Sequence, residues 1–290
     1  MSPRTPIAAR TLVLTALALV AFAANSILCR KALGADAIDA ASFTSVRIAS
    51  GAIVLAVLAT RRARGVDGPR VRGSWRSAAW LVLYALAFSF AYRALTAGTG
   101  ALLLFGLVQL TMLLAAVRAG ERPPALEWLG LALAAAGLVA LVLPGLSAPP
   151  AHAALLMAAA GVAWGLYSLR GKSSKDALGD TAGNFARAVP MALVASAASV
   201  LLAHDAHATP AGLALAAASG AVTSGLGYVA WYAALSGLTS ARAAIVQLAV
   251  PVIAALGGVL LLGEPITPRL ALCGATILGG IALALVSRRA

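Results

Sequence analysis

Ser224, Tyr228, Trp231 and Tyr232 follow the i, i+4, i+7, i+8 spacing that sets side chains on one face of a helix. That face is aromatic and polar together, inside an apolar run over residues 209–235 that is long enough to cross a bilayer. Lipid offers a phenol hydroxyl or an indole N–H no partner, and stranding one in an apolar medium costs roughly 2–7 kcal/mol. The face is therefore expected to turn inward and line a cavity that grips a solute with an apolar body and a polar head. A related pattern precedes it at a spacing of 140 residues: Phe88 matches Tyr228, Tyr92 matches Tyr232, and Ala94-Leu95 match Ala234-Leu235. Two walls of one cavity follow from this repetition.

The chain around these residues is 61% hydrophobic and only 11% charged, too apolar for a soluble domain of 290 residues. Its net charge of +13 does not point to nucleic acid, because nearly all the basic residues lie between apolar runs. Cys29 and Cys273 make neither a disulfide framework nor a metal cluster; one bridge is compatible with the sequence, and packing as small apolar residues is the simpler role. Arg4 and Arg10, the run over 12–20 and Ala21-Phe22-Ala23 imitate a cleaved secretory signal. The apolar run continues to Leu28 and has a counterpart in the second half, so it reads as a retained membrane helix.

Turn and charge clusters cut the chain into ten stretches of bilayer length, near 11–30, 40–60, 75–95, 98–117, 125–143, 151–170, 181–203, 210–235, 240–262 and 268–287. None alternates as a membrane barrel strand would, so the fold class is all-α integral membrane. With the N-terminus cytoplasmic, inner segments collect Arg4, Arg10, Arg61, Arg62, Arg64, Arg70, Arg72, Arg76, Arg118, Arg122, Arg170, Lys172, Lys175, Arg242, Arg288 and Arg289. Outer segments keep only Arg30, Lys31, Arg93 and Arg269, so the positive-inside rule puts both termini in the cytoplasm.

Arg30 and Arg170, and Arg47 and Arg187, also pair at 140 residues, while Gly120-Glu121 and Gly263-Glu264 pair at 143 and Leu141-Val142 and Leu285-Val286 at 144. Small loop insertions in a tandem duplication explain the drift. The copies, 1–145 and 146–290, hold five helices each within one membrane domain. Because five is odd, the second enters the membrane from the other side, and inverted repeats of this kind bind solute between them near the midplane.

Ten helices as five plus five, Gly-Glu after the fourth and ninth, and Pro251 in the ninth resemble the drug/metabolite transporter superfamily, EamA type, over essentially the whole chain. The aromatic third and eighth helices are most similar to its bacterial exporters of aromatic amino acids. One departure is that the fourth helix has no proline matching Pro251. The resemblance implies a multi-pass protein of the bacterial inner membrane and a central cavity lined by the first, third, fourth, sixth, eighth and ninth helices. It also implies export of small amphipathic metabolites by alternating access.

On those helices Asn25, Tyr84, Phe88, Gln109, Trp164, Tyr167, Ser168, Ser224, Tyr228, Trp231, Tyr232 and Gln247 are the candidate substrate-binding residues. An interfacial aromatic belt is the competing role for the rings, and helix stapling for Gln109 and Gln247, the second role compatible with the sequence to the same degree. Aromatic or large apolar amino acids fit such walls. Organic cations are the close alternative through cation–π attraction, although a cation exporter is expected to bury a carboxylate.

Hinge or gating candidates are Gly225, Gly227 and Pro251, with the intramembrane pair Arg47 and Arg187, for which snorkelling structural roles are the simpler reading. A membrane enzyme would need a convergent nucleophile, acid–base pair or metal site, a channel a charged ring or carbonyl filter, and a pump a nucleotide-binding loop. The sequence carries none of these, nor a cofactor motif; a channel or scramblase is the remaining alternative class. The expected partners are a small-molecule substrate and the lipid bilayer, with no nucleic acid, and a monomer is sufficient.

All nine acidic residues fall in loops or close to helix ends, and His152, His204 and His207 fall in outer loops, leaving no titratable carrier at membrane depth. Transport is thus expected to proceed without a proton gradient. In proteoliposomes, an imposed pH gradient alone should drive no uphill flux; concentration against a gradient under that condition would refute the reading.

Overall fold

In lipid a backbone must satisfy its N–H and C=O groups within its own segment, so the long Ala-, Leu- and Val-rich runs of this chain become helices. The computed structural model describes residues 9–62, 72–120, 122, 124–145, 147–171, 174–203, 206–238 and 240–287. Arg4, Arg64, Arg70, Glu121, Lys172, His204, Asp205, Arg288 and Arg289 lie outside them.

The helices are α1 (Ala9–Gly34), α2 (Ala40–Arg62), α3 (Trp75–Tyr92), α4 (Ala97–Arg118), α5 (Ala125–Val142), α6 (Ala151–Gly171) and α7 (Ala177–Ala203). They continue as α8 (Pro210–Ala218), a π-helical segment (Ser219–Leu226), α9 (Gly227–Leu235), α10 (Ser240–Gln247), α11 (Ala249–Leu262) and α12 (Pro268–Ser287). Among the described residues nine helical stretches are long and apolar enough to cross a membrane. The α3 helix is not one of them, because Arg76, Ser77 and Ser89 and its aromatic amphiphiles lower its hydropathy. Cys29 and Cys273 are both free thiols.

Of the expected segments, one changes pitch within a continuous helix and one is interrupted. The run over 210–235 passes from α to π and back to α, and the run over 240–262 divides at Leu248 into α10 and α11. Pro251 accounts for the interruption: its ring has no N–H and collides with the carbonyl four residues earlier, that of Gln247, where α10 stops.

Helices pair reciprocally between the two halves. The α3 and α4 helices pack on α6 as the α8–π–α9 rod and α11 pack on α1, while α2 lies on α7, α4 on α11 and α5 on α12. At the end where α1 starts, α7 clamps the approach to α3: Ser74 N donates to Asn184 Oδ1 at 2.8 Å, Gly73 N to Asp180 Oδ1 at 3.2 Å, and Arg187 Nη1 to the Arg72 carbonyl at 2.5 Å. At the other end the α1–α2 turn and the segment before α8 join through the Ile38–Ala208 bridge and a 3.0 Å bond from Asp39 N to the His207 carbonyl.

Gly220 permits the closest of these approaches. A Cβ there would run into the Arg47 carbonyl and the Ser50 hydroxyl, so only glycine lets the π segment lie flat on α2. Gly220→Val should therefore lower the melting temperature of the purified protein and its folded yield, by an amount at or above the 1–3 kcal/mol usual for overpacking. Gly279→Ala, whose Cβ meets no atom within 4 Å, should leave both near the parent values.

Candidate functional site

The α1, α3, α4 and α6 helices and the π–α9 rod enclose a chamber. The α1 helix supplies Phe22, Asn25 and Ser26, which fall on one face at i, i+3, i+4, and α3 supplies Tyr84 and Phe88. Leu104 and Phe105 of α4, Trp164 of α6, and Thr223, Ser224 and Tyr228 complete it. Trp164 is the centre of the aromatic wall: its ring lies 4.8 Å from Tyr84 and 5.2 Å from Tyr228 and stacks on Tyr167 at 5.3 Å. Tyr228 meets Phe22 and Phe185 edge-on at 6.0 and 5.9 Å. Offset and edge-on pairs of this kind contribute about 0.5–1.5 kcal/mol each beyond area burial.

Polar groups converge on the same chamber. Asn25 Oδ1 accepts from Ser219 Oγ at 2.7 Å and from Thr223 Oγ1 at 3.2 Å, and Asn25 Nδ2 donates to the Tyr84 hydroxyl at 3.5 Å. Arg47, only 1% exposed, stands behind this wall. Its Nη2 donates to the Tyr84 hydroxyl at 2.9 Å and its Nε to Ser224 Oγ at 3.2 Å, while its guanidinium carbon lies 5.1 Å from the ring centres of both Tyr84 and Phe88.

The chamber is collapsed in this conformation, with a volume of about 20 Å³, room for about one water. Below it, at the end where α1 starts, a vestibule of about 910 Å³ runs between α1, α2, α7 and α9, from Arg10, Arg62 and Asp176 up to Tyr232 and Tyr228. Tyr228 borders both spaces and so divides them.

The opposite end is sealed by Arg30 and Glu264. Arg30 Nε donates to Glu264 Oε1 at 2.9 Å and its Nη1 to the Tyr92 and Arg93 carbonyls at 3.2 Å each, while Glu264 Oε2 accepts from Ala97 N at 2.7 Å. One ion pair thus ties the C-terminal ends of α1, α3 and α11 to the N-terminus of α4, where a carboxylate is stabilised by the helix dipole.

Of the residues singled out in the sequence, Asn25, Tyr84, Phe88, Trp164, Ser224 and Tyr228 meet at the chamber, Tyr167 backs Trp164, and Tyr232 lines the vestibule. Trp231 instead packs against Phe22 at 5.8 Å. Ser224 and Tyr228 thus share the chamber across the π–α boundary, while Trp231 and Tyr232, one turn further along α9, meet Phe22 and the vestibule.

Gln109 is buried in α4, Ser168 is half-buried on α6, and Gln247 is half-buried at the α10–α11 break; none of the three borders the chamber. Gly225 and Gly227 pack on Val54 and Ala21. Arg187 is half-buried in the α7 clamp, unlike its sequence partner Arg47. Phe22, Ser26, Ser219 and Thr223 escaped the sequence reading, although the one-face spacing of Phe22, Asn25 and Ser26 was available to find three of the α1 wall.

Comparison with known proteins places this geometry. Residues 151–286 match the EamA-like transporter family. "Uncharacterized protein PA1977" of Pseudomonas aeruginosa is 56% identical over 281 residues, 96% of each chain. A protein of known crystal structure, 20% identical, superposes with a TM-score of 0.65 over 98% of this chain and 100% of its own, which shows a shared fold. With apolar helices throughout and a match to the EamA-like transporter family over residues 151–286, the chain is a multi-pass membrane protein whose second half resembles that family.

Proposed function

We propose that this protein exports small amphipathic metabolites, foremost aromatic or large apolar amino acids, by alternating access between two inverted five-helix repeats, 1–145 and 146–290. The observation that carries the reading is the chamber itself. Aromatic rings from α1, α3, α6 and α9 surround an asparagine and three hydroxyl residues, the lining suited to an apolar ring with a polar head. The reciprocal helix pairings support the inverted repeat, because large contacts between the halves come in matched pairs: α3 and α4 on α6 as α9 and α11 on α1.

The excess of arginine and lysine at the end where α1 starts makes that end cytoplasmic in this reading. The vestibule then opens to the cytoplasm and the Arg30–Glu264 seal faces outward, an inward-open stage of the cycle. Solute climbing the vestibule reaches Tyr228, and movement of Tyr228 and Trp164 admits it to the chamber. Release to the outside requires the seal to break. A single chain supplies every wall, so a monomer suffices for the cycle.

Counterflow in proteoliposomes with labelled amino acids and cationic dyes tests the substrate class. Saturable exchange of phenylalanine or tryptophan without dye exchange is the expected result; dye exchange alone would transfer the reading to cationic drugs. Glu264→Gln tests the seal, since each charge-assisted bond weakened there is worth about 1.5–3 kcal/mol. On the Glu264→Gln background a Ser224→Cys thiol should react faster with an impermeant maleimide applied from outside; unchanged labelling would remove the ion pair from the gate.

A further inference from the structure

Arg47 is a permanent cation in the interior of a membrane bundle, and its neighbours do not neutralise it. Tyr84 and Ser224 offer it neutral oxygens, Phe88 offers a ring face, and its Nη1 is buried without any hydrogen-bond partner. A buried charge held this way is expensive, and a donor left unmade adds to the cost. Among the described residues no carboxylate lines the chamber, whose wall is formed in part by the same Tyr84, Phe88 and Ser224. The buried hydroxyl of Ser26 borders that chamber from α1. Positive charge and an idle donor beside an aromatic chamber describe a binding site whose counter-ion arrives with the ligand.

We infer that Arg47, through Nη1, is the subsite for the carboxylate of the transported molecule, so that substrates are aromatic or large apolar carboxylates. The inference rests on the proposed transport of amphipathic metabolites and narrows it. The apolar body occupies the Trp164–Tyr228 side, and the carboxylate reaches the guanidinium as the collapsed chamber opens. The order of affinities follows from the charges. A molecule with a carboxylate and no amine binds, because the carboxylate has a partner, whereas one with an amine and no carboxylate brings a second cation against Arg47. Organic cations are excluded by the same repulsion. The Tyr84 and Phe88 faces are already engaged by the guanidinium and offer them little compensation.

The test uses the purified full-length protein, in detergent for binding and in proteoliposomes for exchange. Binding is read as quenching of tryptophan fluorescence by 3-phenylpropanoate and by phenethylamine, each in chloride and in gluconate buffer. Wild-type protein should bind 3-phenylpropanoate at least about tenfold more tightly than phenethylamine in both buffers. Arg47→Gln should abolish that preference, and Arg47→Lys should keep its direction with weaker binding, a rescue that a purely structural arginine would not produce.

Equal or tighter binding of phenethylamine to wild type would overturn the inference. So would a preference unchanged in a folded Arg47→Gln variant, or phenethylamine binding that depends on chloride, which would give Arg47 to an inorganic anion. If Arg47→Gln does not fold, the wild-type and Arg47→Lys comparison decides alone, and loss of the preference in Arg47→Lys then counts against the subsite. Anion-selective binding without phenylalanine exchange in liposomes would refute the transport reading while leaving the carboxylate subsite standing.

Discussion

The bonds that Asn25 Oδ1 accepts from Ser219 and Thr223 fix the middle of the molecule. Helices immersed in lipid gain no hydrophobic drive to associate, because lipid tails are as apolar as leucine, so register between them depends on close packing and on polar pairs. Asn25 supplies such a pair between α1 and the π segment, and its amide extends it to Tyr84 on α3. Arg47 continues the chain from α2 to Tyr84 and Ser224. Four elements are thereby registered to one another through groups that would be costly to leave unpaired at this depth.

The π segment makes this network geometrically possible. On the wider turns Ser219, Thr223 and Ser224 stay directed to α1 and α2 while Tyr228 is delivered to the chamber. Such insertions are rare and recur at functional sites because they shift the register of everything that follows. Gly220 completes the arrangement by letting the segment rest on the Arg47 carbonyl. The broken α10–α11 rod, with Pro251 just past the break, is the corresponding irregularity next to α1.

Helix positions were legible in the sequence because hydropathy and length decide them, and charges mark where each helix leaves the bilayer. The aromatic chamber was legible in part, since amphiphilic rings at membrane depth have few places to go, and Tyr84, Trp164 and Tyr228 do come together. What escaped depends on three-dimensional register. Regular helical spacing gave Trp231 to the cavity, whereas its ring packs on Phe22. Arg47 and Arg187 are equivalent by spacing but not in place, because Arg187 turns to the Arg72 carbonyl. Arg47 lies at the crossing of α2 with the π segment. Gln109 and Gln247 match by depth, yet depth alone does not tell which side of a helix faces a void.

The two ends of the bundle are held together by different physics. At the Arg30–Glu264 end one part-buried ion pair and a helix N-terminus join four elements, an interaction that can be exchanged in one step. At the vestibule end, the neutral and charged staples from Asp180, Asn184 and Arg187 bind α7 to the approach of α3, while the 910 Å³ space separates α7 from α1 and α9. The alternating access proposed above would have the rod of α1, α9 and α11 close on the α3–α6–α7 group, with α2 packed against both the π segment and α7. For both stages to be populated their free energies must differ by only a few kcal/mol. Losing one charge-assisted pair while burying the vestibule walls is a change of that order.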